Sequence, residues 1–236
     1  MLIRTVAFGL LTSAVAVSLA SAAHAQKPDP KTIGINSFTA SGAGCAPGTV
    51  VADISEDREA ITLAFSNFQI SASGISKRVF ELSNATSCVV NLELRVPPGY
   101  AMNLNYVDSR GYLALPGRGA TSTLKMEFGV SGSGIWVDSS RGIWNVGATM
   151  SGFSQVGLVD FKAKSGPYNG DFQQVTTINA RQYEQASCSR TGKLVLGLKT
   201  TMQLQNYERS GALFTIDTQD AAVVKRIGVT YVKCRR

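Results

Sequence analysis

The chain has a single histidine in 236 residues, His24, and it lies in a segment that reads as a cleaved leader. Met1-Leu2-Ile3-Arg4 is a short basic start. An apolar stretch runs from Val6 to Ala20, and Ala23-His24-Ala25 supplies a small-x-small cleavage signal before Gln26. The apolar run is shorter than the roughly 20 residues that a membrane span needs, and no second run approaches that length. Residues 1–25 are therefore expected to be removed, leaving a protein with no imidazole. Ser-His-Asp triads, Cys-His pairs and His-ligated zinc or copper sites are then excluded by inventory. The expected protein lies outside the cytoplasm, extracellular or periplasmic, with no transmembrane segment, no metal and no cofactor.

Other signals are missing as well. No C-x-x-C spacing occurs, and no Gly-Lys-Ser/Thr follows Ser131-Gly132-Ser133-Gly134, so that run is no phosphate loop but a hairpin turn. Asp138-Ser139-Ser140 has adjacent serines and fails the D-x-S-x-S pattern of a metal-dependent adhesion site. No long stretch repeats apolar residues at i, i+3, i+4 and i+7. The best helical candidate is one or two turns from Thr218 to Lys225, with Thr218 or Asp220 as cap.

What is present is period two. Ile61, Leu63 and Phe65 form one row. Val90, Leu92, Leu94 and Val96 form a second, and Met102, Leu104 and Tyr106 a third. Leu124, Met126, Phe128 and Val130 follow, then Leu194, Leu196 and Leu198, then Ile227, Val229 and Tyr231. Each row alternates with other, mainly polar or small residues, which puts one strand face on a core and the other in water. Turn chemistry separates the rows at Pro97-Pro98-Gly99, Ser109-Arg110-Gly111, Pro116-Gly117 and Asn169-Gly170. The pattern predicts an all-β protein, an antiparallel β-sandwich of jelly-roll-like kind. Residues 26–36, with Pro28 and Pro30, read as an extended N-terminal arm, and 37–236 as one sandwich domain.

All four cysteines, Cys45, Cys88, Cys188 and Cys234, survive leader removal. An even count in an oxidising compartment predicts two disulfides. Three connectivities are open. Cys45–Cys88 and Cys188–Cys234 are the pairs expected, because they bracket segments of similar length near the two ends.

Losing Arg4 with the leader takes the formal net charge from +7 to +6. Ordinary solubility accounts for this; attraction to anionic envelopes or acidic polysaccharide is the sharper reading. The one dense basic group is Lys225-Arg226 with Lys233, Arg235 and Arg236, and no nucleic-acid-binding motif accompanies it. The acids Asp53, Glu56, Asp57 and Glu59 read as a solvated loop rather than a glycosidase pair, and they lack the D-x-D-x-D-G spacing of a calcium loop. Trp136 and Trp144 flank Arg141-Gly142 and read first as core, second as a sugar-stacking platform. Asn84-Ala85-Thr86 is a glycosylation sequon, used only if the host glycosylates. Asp108-Ser109-Arg110-Gly111 is read as a hairpin or strand corner, with Gly111 at positive φ and Arg110 either forked onto a carboxylate or facing an anionic ligand.

Gly44-Cys45-Ala46-Pro47-Gly48-Thr49-Val50, the Ile61–Phe68 strand, Cys88 opening Val90–Val96, Pro98-Gly99-Tyr100 and Asp108-Ser109-Arg110-Gly111-Tyr112 together resemble a secreted family of fungi and bacteria, domain-of-unknown-function family 4360. Tyr231-Val232-Lys233-Cys234 resembles its closing aromatic-x-x-Cys, with tyrosine where tryptophan is commoner. The resemblance spans roughly Ile33 to Cys234 and implies export, disulfides and a β-rich fold, but no activity. The function expected is a non-enzymatic secreted domain, either surface-binding or structural, with a cell-surface or polysaccharide partner and no nucleic acid. No catalytic residue is assigned. The alternative is a carbohydrate-active enzyme using an Asp/Glu pair.

Overall fold

A computed structural model describes residues 27–72, 83–131, 155–178, 188–216 and 224–234; side chains of 83, 131, 155–163 and 224 are outside this description. Among the described residues, twelve strands run in chain order: β1 (Gly34–Ser41), β2 (Val50–Ile54), β3 (Ala60–Phe65), β4 (Phe68–Ala72), β5 (Ser83–Arg95), β6 (Tyr100–Leu115), β7 (Ala120–Ser131), β8 (Gln155–Ser165), β9 (Tyr168–Thr177), β10 (Lys193–Asn206), β11 (Ala212–Ile216) and β12 (Val224–Lys233). They form two sheets, β1-β5-β10-β7-β8 and β2-β3-β12-β6-β11-β4, with β9 also paired to β6. Every pairing is antiparallel.

The period-two rows explain why these sheets pack on each other. Ile61, Leu63, Phe65, Leu92, Leu94, Met126, Phe128, Leu196, Leu198, Ile227 and Val229 are all buried in one hydrophobic cluster drawn from both sheets. The protein is thus an all-β, two-sheet antiparallel sandwich stapled by two disulfides. Cys45 bonds Cys88 and Cys188 bonds Cys234. Cys45 and Cys88 are both buried in the core, whereas Cys188 and Cys234 are half-buried.

Several local expectations change. The rows Met102–Tyr106 and Tyr112–Leu115 belong to one strand, β6, so Asp108-Ser109-Arg110-Gly111 is no corner. Gly111 lacks a positive φ and is required for another reason. A Cβ there would lie 2.2 Å from the Thr215 carbonyl oxygen and 2.7 Å from the Phe172 ring. β6 also slips a phase. Pairing with β12 runs Gly228 to Tyr106 and then Val229 to Leu104, leaving Asn105 as a bulge. Met102 and Leu104 face the core before it and Val107 after it, so Tyr106 leaves the row and lies over Gly228, its ring 2.0 Å from where a Cβ would stand.

Asn169-Gly170 is not a turn either; both residues are inside β9, and the chain turns at Gly166-Pro167. Within residues 26–36, Pro30–Thr32 make one turn of 3-10 helix capped by Asp29, and β1 begins at Gly34. The helical candidate at 218–225 falls mostly outside the described residues. Its last two residues, Val224 and Lys225, open β12 as strand, because Lys225 pairs with Ser109 of β6.

Candidate functional site

Three connections cross between the sheets at one end of the sandwich. Residues 116–119 lead from β6 to β7, 166–167 from β8 to β9, and 207–211 from β10 to β11. Their sequences are Pro-Gly-Arg-Gly, Gly-Pro and Tyr-Glu-Arg-Ser-Gly, the punctuation that lets a chain change sheets.

Two side chains lock the corners together. Asn206 is fully buried at the end of β10; its amide nitrogen donates to the carbonyls of Ser210 at 2.7 Å and Ala72 at 3.2 Å, and its oxygen accepts from the Glu208 N–H at 3.0 Å. Glu208 reaches into the neighbouring corner and accepts the Gly119 N–H at 2.9 Å. The Tyr207 N–H donates to the Gly119 carbonyl, and the Gly166 N–H to Ala120. Glycine is demanded by contact: a Cβ on Gly117 would stand 2.4 Å from the Glu208 carboxylate, and one on Gly166 would stand 2.3 Å from the Gly117 carbonyl.

Between these corners lies an open groove of about 430 Å³, lined by Ala114, Leu115, Pro116, Pro167, Tyr168, Asn169 and Gly211. Tyr168 is half-buried, and its hydroxyl donates to the Asp171 carbonyl at 2.5 Å. Asn169 is exposed, and its side-chain oxygen accepts the Tyr112 hydroxyl. The Lys164 ammonium stands 4.6 Å from the centre of the Tyr168 ring, a cation–π contact at the groove's margin. The groove therefore offers an aromatic ring, an amide and two prolines between tied corners, with a cation against the ring, which suits recognition of a polar ligand.

The residues singled out from sequence lie elsewhere. Asp53, Glu56, Asp57 and Glu59 belong to the β2–β3 hairpin. Asp53 accepts the Ile54 N–H, Asp57 accepts the Ser55 hydroxyl and the Glu59 N–H, and Glu59 pairs with Lys27 at 2.7 Å. The Ser55 hydroxyl and the Glu59 N–H hold the Asp57 carboxyl below its ordinary range. Asp57 fastens the turn, and Glu59 ties Lys27 to it.

Arg110 forks onto Asp108, its Nε at 3.1 Å and Nη2 at 2.8 Å from Oδ2. Asp108 keeps the guanidinium charged to still higher pH than usual. The Gln173 side chain, across the β6–β9 ladder, donates to the same oxygen at 2.9 Å. Asn84 of the sequon is half-buried in β5 and donates its amide to the Ser71 carbonyl at 2.6 Å. The basic group at the C-terminus is divided: Arg226 is exposed, but Lys225 points inward and is fully buried. Trp136, Trp144, Asp138-Ser139-Ser140, Gly132-Ser133-Gly134, Gln26, Arg235 and Arg236 lie outside the described residues. Ser131 ends β7.

Sequence reasoning missed the groove. Its only local signal is Ser165-Gly166-Pro167-Tyr168-Asn169-Gly170, where Gly-Pro precedes an aromatic and an amide. The residues that fix it, Asn206 and Glu208, are far along the chain.

Fold and disulfides define a disulfide-bonded all-β protein of the kind built for an oxidising compartment. The chain belongs to the family described as domain of unknown function DUF4360, whose model matches residues 31–234. It is 25% identical over 207 residues to an uncharacterized secreted protein of Arthroderma benhamiae, covering 88% of this chain and 74% of the relative. The chain is accordingly a secreted protein carrying a domain of unknown function.

Among solved structures, it is similar to TmCBM61, determined in complex with β-1,4-galactotriose, at 11% identity and a TM-score of 0.25, covering 84% of this chain and 89% of that one. It is also similar to the enzymatically active domain of bacteriophage CBA120 tailspike protein 4, at 10% identity and a TM-score of 0.20, covering 87% of this chain and 20% of that one.

Proposed function

We propose that this is a non-enzymatic extracellular binding domain that holds a polysaccharide in the groove between the three sheet-crossing corners. The observation that carries the reading is the groove itself: about 430 Å³, open, with the Tyr168 ring and the Asn169 amide on its wall. Sugar rings present an apolar face to an aromatic and a hydroxyl rim to amides and backbone groups, and this wall supplies both partners. The corners are tied by buried hydrogen bonds of Asn206 and Glu208, so the wall is organised before a ligand arrives. None of the seven residues lining the groove is Asp or Glu, which favours binding over the paired-carboxylate alternative.

The leader over residues 1–25 belongs to the same proposal, with the working protein starting at Gln26.

The exported protein applied to an array of cell-wall polysaccharides should be retained on at least one of them. Tyr168→Leu, which keeps apolar bulk and removes the ring, should abolish retention and lower the melting temperature only modestly, through loss of the hydroxyl bond to Asp171. Retention that survives both Tyr168→Leu and Asn169→Ala would place the binding surface elsewhere.

A further inference from the structure

Each of the three corners carries one exposed cation. Arg118 lies in the β6–β7 connection, Lys164 sits two residues before the Gly166-Pro167 corner, and Arg209 lies in the β10–β11 connection. Among the described residues none of the three is ion-paired. The described acids of the same end, Glu208 and Asp171, offset two of these three charges and leave one in excess; Glu208 is turned into the corner, where it holds the Gly119 N–H. Lys164 lines a separate small cavity beside Leu113 and Phe172, and its ammonium is held against the groove-lining Tyr168 ring. Unpaired cations around an open groove lower the energy of an anionic ligand and raise its encounter rate.

We infer that the ligand of this groove is an acidic polysaccharide, a polymer carrying sugar carboxylates, with Lys164 as its fixed counter-charge and Arg118 and Arg209 as flanking contacts. This rests on the groove-binding reading and specifies its substrate class. The Lys164 ammonium covers one face of the Tyr168 ring, so a sugar ring stacks on the other and its carboxylate reaches round the ring edge to the ammonium. The Asn169 amide reaches a ring hydroxyl. The charged contacts weaken with salt and the stacking contact does not.

The test compares exported protein on polygalacturonate, on the same polymer with its carboxylates methyl-esterified, and on a single-stranded oligonucleotide of matched charge. Polygalacturonate should bind the parent most tightly. Lys164→Gln should weaken that binding about tenfold, the size of one charge-assisted hydrogen bond. Arg118→Gln and Arg209→Gln should each weaken it by less, and all three variants should keep the parental melting temperature. Tyr168→Leu should lose both the acidic and the esterified polymer.

Equal binding of the esterified polymer with no effect of Lys164→Gln, while Tyr168→Leu still abolishes binding, overturns the acidic inference and leaves the groove in place. Binding of polygalacturonate that ignores Tyr168→Leu overturns the groove reading as well. Oligonucleotide binding as tight as that of polygalacturonate overturns the inference in favour of unselective attraction by a basic protein. Failure to bind any of the three at low salt overturns the acidic inference.

Discussion

The Lys225 ammonium donates to the Thr200 hydroxyl at 2.6 Å, and this bond joins β12 of one sheet to β10 of the other through the middle of the sandwich. Lys225 is fully buried, and burial pushes its pKa down to about 7 from an ordinary 10.5. The ammonium loses its hydration inside the core and regains only part of it from the hydroxyl.

This has a pH consequence. Between about pH 7 and 10.5 the unfolded chain still binds the Lys225 proton while the folded protein has released it. The unfolded state then holds more protons, so the Lys225 contribution to stability rises with pH across that window and is flat below it. Lys225→Met should remove that slope and stabilise the protein most below pH 7, where the buried ammonium is charged. Urea melts of parent and variant at pH 6, 7.5 and 9 measure both effects. A parent whose stability gains nothing over the variant from pH 7.5 to 9 would contradict the assignment.

Arg110 tests a different kind of charge. Its side chain is 44% exposed, so the ion pair with Asp108 is worth little by itself, but Asp108 is buried and its Oδ1 has no hydrogen-bond partner among the described residues. Arg110→Ala removes two of the three donors on Oδ2 of the buried Asp108 and should lower the melting temperature. Polysaccharide binding should be unchanged. An unaltered melting curve together with lost binding would make Arg110 a ligand contact instead.

At Gly111 the expected effect comes from contact. Gly111→Ala should cost about 1–3 kcal/mol, because its methyl group must displace the Thr215 carbonyl of β11 or the Phe172 ring of β9. Asn, which substitutes well for glycine at a left-handed turn, should be worse here than Ala. Thermal melts of the two variants rank them, and an Asn variant as stable as the parent would restore the turn reading.

Non-reducing peptide maps should link Cys45 to Cys88 and Cys188 to Cys234. Removing either bridge by paired Ala substitutions should cost roughly 2–5 kcal/mol. The Cys45–Cys88 pair should cost more, since both of its residues are buried in the core whereas Cys188 and Cys234 are half-buried. Equal losses would mean that loop closure, similar at separations of 43 and 46 residues, outweighs packing.

Exported material should begin at Gln26. N-terminal sequencing that starts before Ala20 would refute the cleavage site, and inactivation by a histidine reagent traced to His24 would show that the leader is retained.

The sequence by itself determined the class of structure. Alternation is local, since side chains two apart on a strand share a face. Rows such as Leu92-Leu94-Val96 and Met126-Phe128-Val130 could therefore be assigned to the core without a partner in view. The inventory of histidine and cysteine was equally local, and so were the family residues from Gly44 to Cys234. What tertiary structure alone decided depends on which strand lies alongside. The bulge at Asn105 reverses the faces of β6 because β12 pairs across it, so Tyr106 leaves the core and Val107 enters it. The burial of Lys225 was legible by contrast, since period two carries it inward with Ile227 and Val229; only the Thr200 hydroxyl that meets it required the facing sheet. The groove was the least legible of all. Its walls come from residues 114–116, 167–169 and 211, which only the crossing of the two sheets brings together, and no periodicity records that crossing.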